Sequence, residues 1–223
     1  MRKQWDAVLL DFDGTLVDSA PDIIAALNRL LVELDHTEVN YDEYRNRAGD
    51  GARNLLEQVL AARDVTFAEA EWPPLVDRLL DHYYEIMTDN TQPYPAVTDT
   101  LAEIHASGMA LAVCTNRTVW TTTRLLAHFG LTELFGAVLC ADNVIAKKPD
   151  AHHLQEAMQL LGTTPERTIM IGDTATDVAA ARNAGIKVVA VSYGYSKNPA
   201  AELGADAVLA DFDELPALLA NLP

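Results

Sequence analysis

Leu9-Leu10-Asp11-Phe12-Asp13-Gly14-Thr15-Leu16-Val17-Asp18-Ser19-Ala20-Pro21-Asp22 opens as an apolar run and stops on two carboxylates and a glycine turn. The run Ala7–Leu10 predicts a buried strand. Asp11 and Asp13 then fall at its carboxyl end, where open parallel sheets bind their ligands. Phe12 between them should point back into the core, and Gly14-Thr15 lets the chain turn while its backbone stays near a ligand. Two carboxylates this close repel each other and need a cation or a shared proton. Mg²⁺ suits them, because it takes carboxylate, carbonyl and water oxygens together with phosphate. A lone Asp-x-Asp is also found as a plain acidic turn; the whole string from Asp11 to Thr15 after an apolar strand is more specific.

Outward from this stretch, short apolar runs alternate with amphipathic ones. Strands are expected at Ala110–Cys114, Ala137–Cys140, Thr168–Ile171, Val188–Val191 and Ala207–Leu209, with helices at Val97–Ala106, Val119–Phe129, His152–Leu161 and Thr176–Ala184. Gly108, Gly130, Gly162 and Gly185 read as helix stops. Apolar strands separated by helices predict an α/β, Rossmann-like core: a parallel sheet covered on both faces. Between Ser19 and Gln92 no strand is convincing, and Ile23–Leu34, Ala52–Ala62 and Ala68–Met87 carry helix-period apolar residues. This predicts an inserted all-helical domain over residues 18–91, with residues 1–17 and 92–223 forming the core. The linkers are expected near Val17–Pro21 and Asn90–Pro95.

Three further strand ends carry chemistry. Thr115-Asn116-Arg117 offers a hydroxyl and N–H groups ahead of a helix, either a phosphate cradle or a simple cap. Lys147-Lys148-Pro149 offers a compact positive charge, or a solvated pair. Gly172-Asp173, with Asp177 four residues on, places a second acidic pair, or an N-cap with an acid near the helix dipole. Together these supply what phosphoryl transfer needs: nucleophile, acid/base, oxygen ligands, cation and metal.

In its ordered motifs DFDGTLVDSAPD, TNR, KKP and GDTATD the chain resembles the haloacid dehalogenase superfamily, and among its members the phosphatases with a helical cap. Within these, VDSAPDI, Ala48–Ala52, Tyr94–Val97, AARNAG and Ser192–Ser196 are similar to phosphoglycolate phosphatases. The resemblance implies roles. Asp11 would be nucleophile and Mg²⁺ ligand; Asp13 would be acid/base, binding the metal through its carbonyl. Thr115 and the Asn116 N–H would hold the phosphoryl group, and Lys148 would neutralise it. Asp173 would complete the metal shell, with Asp177 acting directly or through water. The insertion becomes a cap whose Arg45, Arg47, Gly49, Asp50 and Gly51 would face the site, one arginine pairing with a substrate carboxylate. The family commonly has Pro at Ala151, lysine at Arg117 and glycine at Ala96; these departures are expected to touch no catalytic group and to bear on substrate choice.

Composition bounds the partners. The 223 residues hold 16 basic and 33 acidic side chains, for a formal net charge of −17. Such a chain repels nucleic acid and anionic membrane. The expected partner is a small phosphorylated metabolite, held by local cations, with the protein a monomer or homodimer. No apolar run spans a bilayer and no signal-peptide layout opens the chain, so the cytoplasm is expected. Cys114 and Cys140 are expected as buried free thiols. A phosphomutase would share these motifs, a phospho-aspartate signalling module would carry its aspartate on a later strand, and a dehalogenase would lack Asp13.

Overall fold

The computed structural model describes residues 4–222, with the side chain of Asp50 excepted. The chain forms two compact units. One holds the chain up to Asp18 and from Pro93 onward; the other is Ser19–Gln92.

The first unit is built on β1 (Ala7–Leu10), with the two-residue strands β2 (Val17–Asp18) and β3 (Gln92–Pro93) where the chain leaves and returns. It continues with β4 (Ala110–Cys114), β5 (Ala137–Leu139), β6 (Thr168–Gly172), β7 (Lys187–Val191) and β8 (Ala207–Leu209). The sheet runs β5-β4-β1-β6-β7-β8, all parallel. Leu9, Ala112, Met170 and Val188 face a cluster with Leu154, Ala157 and Val178 on the covering helices. Their alternating neighbours, Val8, Leu10, Val113, Ile171 and Val189, are equally buried. Side chains alternate across a strand, so both faces of the sheet are covered.

Chain order reverses between β1 and β6. In such sheets the crevice at the reversal is where ligands bind. The β1–β6 ladder continues one residue past the strand, with the Asp11 N–H donating to Ile171 O at 2.9 Å. The register therefore brings the end of β1 alongside Gly172-Asp173.

Helices in this unit start where the local chemistry allows. Here α5 is Val97–Ala106, α6 Val119–His128, α7 Ala151–Leu161, α8 Ala175–Ala184 and α9 Leu215–Asn221. Gly162 and Gly185 close α7 and α8 in the left-handed conformation, as helix stops do. The first residue of α7 is Ala151, not His152, because Asp150 caps it, accepting from the His152 N–H at 2.9 Å.

The second unit is all helix: α1 (Ala20–Glu33), α2 (Tyr41–Tyr44), α3 (Ala52–Ala61) and α4 (Trp72–Ile86), with short 3₁₀ turns at Arg45–Asp50 and Glu69–Glu71. Leu27, Leu30, Leu31, Leu55, Leu56 and Leu79 make its core. Two boundaries differ from expectation through proline. Pro21 occupies the first turn of α1, so the helix begins at Ala20 rather than Ile23. Pro73 and Pro74 have no N–H to give and fit only a first turn; α4 accordingly starts at Trp72, and Glu69–Glu71 tightens into a 3₁₀ turn. The ends of this unit are tied at buried Asp22, whose carboxylate accepts from the Asn90 N–H and Nδ2 and from the Thr91 N–H and Oγ1 at 2.7–3.1 Å. Among the described residues no helix is long and apolar enough to cross a membrane.

Candidate active site

Asp11, Asp173 and Asp177 come together at the reversal point, each buried and each offering an oxygen within 4.8 Å of the others. Lys148 reaches them from the loop between β5 and α7. Its Nζ stands 2.8 Å from Asp11 Oδ1 and 2.6 Å from Asp177 Oδ1. One ammonium cannot balance three buried carboxylates. Desolvation, then the Asp177 charge, push the Asp11 carboxyl up to about 7 despite Lys148. Burial, with Asp177 and Asp11 adding to it, holds Asp173 well above the usual carboxylate range. Burial alone would depress Lys148, but Asp11 and Asp177 outweigh it and keep the ammonium charged. A buried cluster of hard oxygens in negative excess could hold a metal ion, and a small divalent cation fits those donors.

Each member is fixed locally. Asp173 Oδ2 accepts the Tyr195 N–H at 2.7 Å and Oδ1 accepts Thr15 Oγ1 at 3.1 Å. A Cβ on Gly14 would stand 2.3 Å from Asp173 Oδ2, and one on Gly194 would stand 2.2 Å from the Asp173 Cβ. Both glycines are therefore required by close approach. Asp177 Oδ2 accepts from Thr174 Oγ1 at 2.6 Å and the Thr174 N–H at 3.0 Å. The helix cap is thus Thr174, where Asp173 was the alternative, and Asp177 closes a capping box. Lys148 is held by its backbone: its N–H donates to His153 Nδ1 at 3.2 Å, and Asn116 Nδ2 donates to its carbonyl at 2.9 Å. Burial and the Lys148 charge lower His153 to about 4. The neutral ring then accepts at Nδ1 and donates from Nε2 to Leu139 O at 3.3 Å.

Thr115 is buried at the end of β4, its N–H donating to Leu139 O at 2.9 Å. The Thr115–Arg117 segment lies just ahead of α6, which begins at Val119 as expected; the cap is Thr118, and the Val119 N–H goes to Asp142 Oδ1 at 2.8 Å. One expectation needs correction here. Arg117 was expected to touch no catalytic candidate. Instead its Nε and Nη2 each meet an Asp13 carboxylate oxygen at 2.9 Å. The side chain of Asp13 therefore faces Arg117 and is not a member of the Asp11–Asp173–Asp177 cluster.

In the helical unit, Arg45, Gly49 and Asp50 lie on one 3₁₀ turn with Arg47. Arg47 donates to Gln58 Oε1 at 3.0 Å and lies 5.1 Å over the Tyr44 ring. Gly51 caps α3 at φ 88°, a conformation open to glycine. The side chain of Asp50 lies outside the described residues. Sequence reasoning missed His153, the contact of the Thr15 hydroxyl with Asp173, and the Tyr195 N–H. Tyr195 stood in the quoted Ser192–Ser196 stretch, but a backbone donor leaves no side-chain signature.

Haloacid dehalogenase-like hydrolases match residues 8–191 of the chain. The phosphoglycolate phosphatase of Agrobacterium fabrum is 38% identical over 215 residues, 96% of this chain and 92% of that protein. That of Caulobacter vibrioides is 39% identical over 209 residues, 94% and 88%. A crystal structure of a predicted phosphoglycolate phosphatase from Haemophilus somnus superposes with a TM-score of 0.90 at 27% identity, covering 98% of this chain and 99% of that one. With the family match extending over residues 8–191, most of the chain, and with relatives at this identity, the chain belongs to the haloacid dehalogenase-like hydrolases.

Proposed function

We propose that this chain is a Mg²⁺-dependent phosphatase that hydrolyses a small phosphomonoester through a phosphoryl group carried on Asp11, with phosphoglycolate as the leading substrate. It is a phosphoric monoester hydrolase by its relatives, and the substrate follows theirs. The observation that carries the reading is Asp11 held between Lys148 and the Asp173–Asp177 pair at the sheet's reversal point. The sheet order also separates this chain from signalling receivers, whose sheets follow the flavodoxin-like order.

Asp11 presents Oδ1 to Lys148, and its other oxygen would be the nucleophile. Its oxygen forms a bond to phosphorus as the ester P–O bond breaks, and Asp13 gives the leaving oxygen a proton. Water then attacks phosphorus, loses a proton to Asp13 and frees Asp11. Lys148, Thr115 Oγ1 and the Asn116 N–H hold the phosphoryl oxygens against the chain's net negative field. Mg²⁺ held by Asp11, Asp173 and the Asp13 carbonyl would neutralise the charge on those oxygens. Asp177, which accepts from Lys148 and Thr174, would support the metal directly or through water. The helical unit would serve as the cap that reads the leaving group through Arg45 or Arg47.

The test is Mg²⁺-dependent phosphate release across phosphoglycolate, sugar phosphates, nucleotides and an aryl phosphate. Release should require metal and vanish in Asp11→Asn. Isomerised sugar phosphate with little phosphate released would favour a mutase and reject the proposal.

A further inference from the structure

Arg117 grips both oxygens of the Asp13 carboxylate, Nε on Oδ2 and Nη2 on Oδ1, each at 2.9 Å. Arg117 is packed as well as paired, and its backbone is tied down. Its side chain is 8% exposed, and it lies 6.0 Å over the Phe12 ring. Its backbone N–H donates to Thr115 Oγ1 at 3.2 Å, and its carbonyl accepts the Ala141 N–H at 2.9 Å. A carboxylate otherwise turns easily about its last torsion; a two-point fork stops that rotation.

We infer that Arg117 is a positioning residue, fixing the Asp13 carboxylate in the orientation from which it takes a proton from the hydrolytic water. The inference rests on the phosphatase reading and adds a residue to it. In the first half-reaction the Asp11 oxygen bonds to phosphorus, the ester bond breaks, and the Asp13 proton goes to the leaving oxygen. Asp13 emerges as a carboxylate, the form a guanidinium fork matches. In the second, the water oxygen bonds to phosphorus, the water proton goes to Asp13, and the Asp11–phosphorus bond breaks to free phosphate. An aryl phosphate, whose leaving group departs without a proton, separates the halves: its first step makes little demand on Asp13, and its second makes a full one.

The experiment is rapid-quench kinetics with an aryl phosphate and Mg²⁺ on the wild type, Asp13→Asn, Arg117→Gln and Arg117→Lys. Arg117→Gln should slow phosphoenzyme breakdown about tenfold or more while changing its formation by less than about threefold, as misplacement of a catalytic group would. Phosphoenzyme should therefore accumulate, and Arg117→Lys, which keeps the charge, should restore part of the breakdown rate. Equal losses in both halves, or breakdown unchanged in both Arg117 variants, would overturn the inference. Phosphoenzyme trapped in Asp13→Asn but never in Arg117→Gln would overturn it while leaving the phosphatase reading intact. No phosphoenzyme even in Asp13→Asn would overturn the reading beneath it.

Discussion

Asp173 and Gly194 approach so closely that a methyl group at position 194 would stand 2.2 Å from the Asp173 Cβ. The loop after β7 thus passes over the carboxylate, and the next N–H, from Tyr195, binds its Oδ2 at 2.7 Å. Gly194→Ala must displace Asp173 or the loop. Half-saturation by Mg²⁺ should rise at least about tenfold, the order expected when a support of a metal ligand is lost. The check is phosphate release and thermal stability against Mg²⁺ concentration; an unchanged metal dependence would remove Asp173 from the metal shell.

Burial of Asp11 should make metal-free stability fall as pH rises through the neutral range. Asp11 has a folded value of about 7 against 3.8 for the ordinary group, so the folded state binds more protons between those values. Its contribution is full below the unfolded value and is lost as pH rises through about 7. His153, lowered to about 4, runs the other way: its contribution is present above the unfolded value and is lost as pH falls toward 4. Asp11→Asn should therefore raise the Tm of the metal-free protein at about pH 8 and raise it less at about pH 5. A larger gain at the lower pH would show that the Asp11 carboxylate is not destabilised by its burial.

Ala96 adopts the left-handed conformation, φ 62°, at the exposed cap of α5. A Cβ there costs about 1–2 kcal/mol, of which glycine's freer unfolded chain returns part. Ala96→Gly should stabilise the protein by about 0.5–1 kcal/mol. Ala151 is the first residue of α7 and follows Asp150 in an extended conformation, where proline fits without loss; Ala151→Pro should add about 0.4–1 kcal/mol. Denaturant melts measure both, and a destabilised variant would contradict the cap geometry.

Variants of the two arginines of the helical unit test whether substrate choice can be separated from chemistry. Arg47→Ala and Arg45→Ala should raise KM for phosphoglycolate more than for an aryl phosphate, with kcat for the aryl phosphate held within about threefold, since a remote carboxylate pair contributes to binding. Equal effects on both substrates would reject a carboxylate-reading role. Arg47→Ala also removes the hydrogen bond to Gln58 at 3.0 Å, and a melt measures that stability cost separately.

The sheet was legible because its strands are unbroken apolar runs: Ala7–Leu10, Ala110–Cys114 and Ala207–Leu209 begin and end where composition changes. Helix starts were less so, because prolines at 21, 73 and 74 and the cap at Asp150 decide them, not apolar periodicity. At the site, Asp11 and Asp173 could be read from strand ends, since a parallel sheet gathers those ends along one edge, and Asp177 from its spacing to Asp173; Lys148 comes in from the loop after β5. The Asp13–Arg117 pair could not, because it joins positions 104 apart through the register of β1 against β4. His153 and the Tyr195 N–H were hidden for another reason: they act on the backbone of Lys148 and the carboxylate of Asp173 without carrying a motif of their own.

Covalent capture on Asp11 tests the central claim most directly. Asp13→Asn incubated with ³²P-labelled substrate and Mg²⁺, quenched in acid and mapped by mass spectrometry, should carry one base-labile phosphoryl group on the peptide containing Asp11, and Asp11→Asn should carry none. Turnover without any labelled peptide, or label on another residue, would contradict the account.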